Sequence, residues 1–195
     1  MGSDIDPHSG FRLPLLRRDA LDEAGKRIYD RASTPGASIA GLQGPAGIQL
    51  YSPQAGEHLS ALNRCLRFHA GLAPAIREIA ILTVAREMDC QFEWCAHEPE
   101  ARKEGVEPNA IDVIKNRLST AGLEETPATV IELGREIFRD HKVTPHTFAR
   151  AKALFGASTL VNLVMLMGSY AATAALLIAF DMQLHAGQKP LLPIP

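Results

Sequence analysis

Four side chains able to move protons or act as nucleophiles are concentrated in the stretch Arg77–His97, REIAILTVAREMDCQFEWCAH. Glu78 precedes Cys90 by twelve positions, Cys90 precedes Glu93 by three, and Glu93 precedes His97 by four. Three and four are the spacings of helical neighbours, so Cys90, Glu93 and His97 share one helix face. A carboxylate beside an imidazole in apolar surroundings is an arrangement for general acid–base chemistry, because burial and mutual charge shift both proton affinities. Glu93 is placed to orient the His97 ring and raise its basicity. Phe92 and Trp94 flank it, and a partly buried carboxylate needs a partner. Glu78 reads either as a second proton carrier or as a first-turn acid favoured by the helix dipole. Cys90 falls in the first turn of its helix, where the dipole favours thiolate, although a small buried thiol is the plainer reading. Cys95 lies roughly 140° around the helix from Cys90, so the two thiols point apart and do not form a dithiol redox motif. Arg64, Arg67, Arg77 and Arg86 lie nearby in sequence, and any one of them can hold a carboxylate through paired hydrogen bonds. Glu93 and His97, with His69 or Glu78, are the best metal set on offer. They match no zinc signature, and neither metal nor cofactor is expected.

These residues require helices to position them, and the chain reads as all-α. Asp19 is the expected cap of a first helix bearing Leu21, Ala24 and Ile28, with Asp22 at its third position. The segment STPGASIAGLQGPAGIQLYSP then reads as a long irregular loop. Its Gly-rich part, 36–47, follows no strand and matches no phosphate-binding pattern, so it suits a lid or an oligomer contact. Ser52-Pro53 opens a helix to about Ala70 with Leu59, Leu62 and Leu66 inward, beside a stripe of His58, Leu62, Cys65 and His69. After Leu72-Ala73-Pro74 comes a helix with Ile76, Ile79, Ala80, Thr83 and Val84 inward. Asp89 is the expected cap of the next, which Pro99 should kink and Gly105 close. Asn109 should cap a short helix with Ile111, Val113 and Ile114. Thr126-Pro127 opens one with Val130, Leu133, Ile137 and Phe138. Thr144-Pro145 opens another with Phe148, Ala151, Leu154 and Phe155, ended by Gly156. A long apolar helix to about Leu184 follows, then an extended tail over residues 189–195.

A chain of 195 residues with 46% hydrophobic and 22% charged residues suits one soluble globular domain, here 11–188. The opening decapeptide MGSDIDPHSG lacks a signal-peptide pattern and is set aside as a residual tag. The net charge of −2 without a basic stripe argues against nucleic-acid binding. Three cysteines fit a reducing cytoplasm better than a disulfide framework. The uncharged run between Lys152 and Asp181 is long enough to cross a bilayer. However, it carries Asn162, Ser169, Tyr170 and Thr173 and has no flanking aromatic belt. It is therefore expected to be a buried core or interface helix rather than a membrane span.

The segments GPAGIQLYSP, LNRCLRFHAGLAPAIREIAILTVARE and CQFEWCAHEPEARKEGV resemble the carboxymuconolactone decarboxylase family, within the alkylhydroperoxidase D-like superfamily. LFGASTLVNLVMLMGSYAATAALL resembles its closing helix. The resemblance spans roughly Leu15 to Leu184. It implies an all-α alkylhydroperoxidase D-like bundle, a homo-oligomer (trimer or hexamer) and a pocket beside Glu78 and Cys90–His97. The redox branch carries a glutamate, two cysteines three apart and a histidine. Here Glu78, Cys90 and His97 match, but Glu93 stands where the second cysteine belongs, which argues against dithiol peroxidase activity. The decarboxylase branch has a glutamate at the Glu93 position and usually no cysteine at Cys90. The resemblance thus implies a cofactor-free lyase of aromatic-compound catabolism acting on a small carboxylated lactone or related ring-cleavage product. His97 would be the acid/base, Glu93 its partner and Glu78 a second proton carrier, with Tyr51, His69, Arg77 and Trp94 around the substrate. A single-cysteine peroxidase built on Cys90, or a non-catalytic oligomeric ligand-binding or stress-response protein, are the alternatives.

Overall fold

The computed structural model describes residues 4–193, and among these every regular element is helical. A 3-10 turn, Arg18–Ala20, precedes α1 (Glu23–Ser33), α2 (Pro45–Gln49), α3 (Pro53–Phe68), α4 (Pro74–Glu87), α5 (Gln91–Lys103), α6 (Pro108–Lys115), α7 (Glu125–Phe138) and α8 (Pro145–Ala179). The all-α expectation holds, with local corrections. Asp22 caps α1, accepting a hydrogen bond from the Gly25 amide. Asp19 instead sits in the preceding 3-10 turn. Glu107, not Asn109, precedes the first turn of α6, where Pro108 supplies a preset φ. The long loop contains α2, and at Gly47 a Cβ would stand 2.2 Å from the Leu42 carbonyl oxygen. Only glycine permits that approach.

The core is organised around α4. Every residue from Arg77 to Arg86 is buried, because α5, α6, α7 and α8 surround this helix. Ile79, Ala80, Ile81, Leu82 and Val84 meet Ile131 and Leu133 of α7 and Leu163, Leu166 and Met167 of α8 in one continuous cluster. A helix buried all round shows no single apolar stripe. The turn into α5 is short. Asp89 takes a left-handed φ of 49°, and its carboxylate is held by Arg86 and Arg117. Asp tolerates this conformation better than most residues. That geometry makes Cys90, not Asp89, the cap residue of α5. Pro99 lies inside α5 on its exposed side, and Gly105 (φ 82°) ends the helix region.

Gly156 breaks α8 with non-helical φ and ψ of 69° and 170°, as the sequence suggests, but the helix ends at Ala179 rather than near Leu184. α8 is long and apolar enough to cross a membrane, and 44% of its most apolar stretch is buried within the chain. Leu163, Leu166, Met167 and Ala174 face the core, whereas Val161, Met165 and Ile178 are exposed. Phe148, expected inside, is also exposed, as is Leu62 of α3. Residues 4–10, set aside in the sequence reading, pack onto the body. Ser9 is fully buried and its hydroxyl donates to the Phe11 and Leu13 carbonyls. The expected tail extends into the undescribed residues 194 and 195. Its described part is pinned by the Gln91 side chain, which accepts from the Leu191 and Leu192 amides and donates to the Leu192 carbonyl.

Candidate active site

The α4–α5 hairpin sets the site. Glu78 lies eleven residues before Asp89, and His97 lies eight after it. At 1.5 Å per residue these are roughly 16 Å and 12 Å along two antiparallel axes, so the side chains meet across the helix pair. His97 Nδ1 and Glu78 Oε2 are 2.8 Å apart, and both side chains are buried. Glu78 Oε1 accepts from Arg77 Nε at 3.0 Å, and the Arg67 guanidinium lies 3.9 Å away. Burial by itself would raise the Glu78 carboxyl. Hydrogen bonds from His97 and Arg77 and the nearby Arg67 charge outweigh it and hold the group below the usual carboxylate range. An ionised Glu78 can only accept, which fixes the proton of His97 on Nδ1. The Nε2 nitrogen is then left facing Glu93.

Glu93 Oε2 lies 3.6 Å from His97 Nε2. Burial pushes this carboxyl above its ordinary range, and the Glu78 charge adds to the effect, while His97 and Arg67 pull against it. The two acids therefore differ in state. Glu78, clamped by cations, is held towards its anionic form, whereas burial pushes Glu93 towards its protonated form. Pairs of titratable groups pushed in opposite directions are characteristic of acid/base sites. Tyr170 of α8 packs edge-on against the imidazole, with ring centroids 5.2 Å apart and planes at 86°.

A cavity of about 310 Å³ opens beside this cluster, bordered by Glu93, His97 and Tyr170 on one side and Arg31, Arg64 and Arg67 on another. The 36–40 segment forms part of its wall. Arg31 and Arg64 are close enough for their like charges to interact. Burial, reinforced by that repulsion, lowers the Arg31 pKa below its usual value. Arg67 has a buried Nε without a hydrogen-bond partner. A concave site with convergent cations and a buried acid of raised proton affinity can take an anionic small molecule and hand it a proton.

The other predicted site residues are placed elsewhere. Cys90 is buried in the apolar cluster of Phe11, Phe92 and Leu177, outside the cavity. Burial and the neighbouring Glu93 push its thiol up to about 12, against the dipole effect expected at a helix start. Arg77 stands behind Glu78, bridging it to the Arg67 carbonyl and Glu104. It positions that acid rather than lining the cavity. Trp94, one residue on from Glu93, is turned by about 100° into the core. There its Nε1 donates to Glu98 and Lys115 lies over the ring. Tyr51 donates to the Pro14 carbonyl at 2.6 Å and is exposed. His69 is the exposed C-terminal cap of α3. Among the described residues no group of three or more His, Cys, Asp or Glu side chains has a metal-site arrangement.

Arg31, Asn63 and Tyr170 border the cavity and were missed from sequence. One signal was available. Ser60, Asn63 and Arg67 recur at helical spacing and form a polar stripe on α3. The stripe is displaced from the His58–His69 face that the sequence reading favoured. Tyr170 was visible as a phenol in an otherwise apolar run, but only the fold brings it against His97.

The fold and site together define a class: an all-helical protein that buries a carboxylate–imidazole–carboxyl chain against an arginine-lined cavity. Residues 53–133, which supply α3 to α6 and most of α7, match the model of the carboxymuconolactone decarboxylase family. The match includes Glu78, Cys90, Glu93 and His97, whereas Arg31 and Tyr170 come from outside it. No curated protein matches the chain.

Proposed function

We propose that this protein is a cofactor-free lyase that decarboxylates a small carboxylated lactone or a related ring-cleavage product by acid–base chemistry. The observation that carries this reading is the buried Glu93, its proton affinity raised by burial, 3.6 Å from His97 Nε2 and bordering a cavity with three arginines. The substrate carboxylate docks on Arg67, with Arg31 and Arg64 supplying further positive charge. Its bond to the ring breaks, carbon dioxide leaves, and the bonding pair stays on the ring. The proton shared by Glu93 and His97 is delivered to that carbon, and water entering the cavity restores it. Glu78 and Arg77 hold the imidazole in place. Because Glu78 stays ionised and off the cavity, we assign it an anchoring role instead of proton carriage. A Cys90 peroxidase draws no support from a thiol that is buried, off the cavity and hard to ionise.

We further propose a cytoplasmic homo-oligomer, with the exposed apolar residues Phe68 of α3 and Val161, Met165 and Ile178 of α8 covered by other copies rather than by lipid. Sedimentation of the purified protein reads this directly, and a monomer soluble without detergent would exclude it. The catalytic reading is tested by carbon dioxide release from a panel of carboxylated lactones. Turnover should be lost in His97→Ala and Glu93→Gln, and full activity in His97→Ala would refute the assignment.

A further inference from the structure

Tyr170 borders the cavity, yet the proton-delivery step makes no use of it. Its neighbours on α8 at helical spacing, Leu163, Leu166, Met167 and Ala174, are apolar and fully buried. Phenylalanine would serve packing here equally well, and a buried hydroxyl is a cost unless it bonds to something. The Asn63 side chain of α3 faces that hydroxyl, and Asn63 borders the same cavity. Burial holds the phenol far above its ordinary range, so it stays a neutral O–H donor. The edge-on contact with His97 fixes the ring beside the proton-delivering group.

We propose that Tyr170 and Asn63 form a neutral donor pair that binds an oxyanion in the cavity. In the reaction proposed above, on which this assignment rests, that oxyanion is the lactone carbonyl oxygen. When the carbon–carbon bond to the carboxylate breaks, carbon dioxide departs and the bonding pair passes through the conjugated ring onto this oxygen. The Tyr170 O–H and an Asn63 N–H donate to it. Addition of the proton from Glu93 and His97 at carbon then restores the carbonyl. The cavity thereby sorts the two ends of the substrate, the carboxylate to guanidinium groups and the carbonyl oxygen to neutral donors. A charged donor at the second place would capture the carboxylate in the wrong orientation.

The test uses 4-nitrophenolate, a stable oxyanion followed by absorbance, with benzoate as the carboxylate control. Tyr170→Phe should weaken 4-nitrophenolate binding about tenfold or more, and Asn63→Ala several-fold, while benzoate affinity stays within about twofold. On any lactone that is turned over, kcat of Tyr170→Phe should fall about a hundredfold with KM unchanged. The assignment is overturned if wild type does not bind 4-nitrophenolate, if both variants bind it as wild type does, or if benzoate affinity falls in parallel. If no lactone is turned over but the selective 4-nitrophenolate loss appears, the oxyanion subsite stands and the decarboxylation reading fails. Should Asn63→Ala not fold, the isosteric Tyr170→Phe decides alone.

Discussion

Replacing Glu78 by glutamine tests the anchor on which the site depends. The substitution preserves shape but removes a buried negative charge that accepts from His97 and Arg77 and lies near Arg67. Breaking a buried charge pair by neutralising one partner costs about 3–5 kcal/mol. The lower end applies here, because the amide oxygen still accepts one hydrogen bond. With a urea m value near the top of the usual range, a loss of about 3 kcal/mol lowers the midpoint by about 1 M. It lowers Tm by roughly 6–12 °C for a chain of this size. The deficit must also depend on pH. Folding depresses the Glu78 pKa, so its contribution is fully present above the unfolded value of about 4.3 and is lost as pH falls through the folded value. Wild type and Glu78→Gln should therefore begin to converge as pH falls below the unfolded value and coincide only under the depressed folded value. Urea melts of both proteins at neutral pH and at successively lower pH measure this. A deficit under about 1 kcal/mol at pH 7, or one that stays constant into acid, would show that Glu78 is not the clamped anion described here.

Glu93 should behave oppositely. Its folded pKa is raised, so its contribution is present below about pH 4 and lost as pH rises through the folded value. Urea melts should show Glu93→Gln losing less stability than wild type towards alkaline pH; a steeper alkaline loss in the variant would contradict this. Cys65 is exposed while Cys90 is buried with a thiol near 12. Disulfide-exchange titration of native protein should thus show Cys65 as the fast thiol, and Cys90→Ser should leave any peroxide consumption unchanged. Arg31→Gln removes one of two neighbouring like charges, so it should leave Tm unchanged or slightly raised while increasing KM for an anionic substrate about tenfold. Gly47→Ala drives a Cβ against the Leu42 carbonyl and should destabilise by more than about 2 kcal/mol in a thermal melt.

The relation between sequence and site is clearest in α5 and α4. The four-residue gap between Glu93 and His97 is a local, helical fact, and it identified a real neighbour pair. The closer partner of His97 is Glu78, nineteen residues away, at 2.8 Å. Helical spacing cannot report that contact, because it depends on how tightly the Asp89 turn folds α5 back on α4. Local reading therefore put the strong and weak carboxylates in the wrong order. Trp94 failed for a related reason. The family resemblance put it around the substrate beside Glu93, but one step around a helix is enough to turn a side chain from cavity to core. α4 was legible as a helix, yet burial on all sides erased the stripe that would have told its faces apart.

The distribution of charge carries the argument one step further. Of the four arginines the sequence placed near the site, Arg77 and Arg86 are engaged by acids on their own hairpin, whereas Arg64 and Arg67 from α3 face the cavity. Arg31 joins them from α1 because α1 packs along α3. The anchoring charges thus belong to the rigid central hairpin, and the cations facing the cavity belong to the less buried helices that cover it. This division separates two requirements. The proton-transfer groups need fixed geometry, which the fully buried α4 and its turn into α5 provide. Substrate capture needs cations left unsatisfied in the free protein, which costs stability and is tolerated best where exposure is greater. A variant that pairs Arg31 or Arg64 with a new carboxylate should therefore become more stable and bind anions less well, while the His97–Glu78 contact is unaffected.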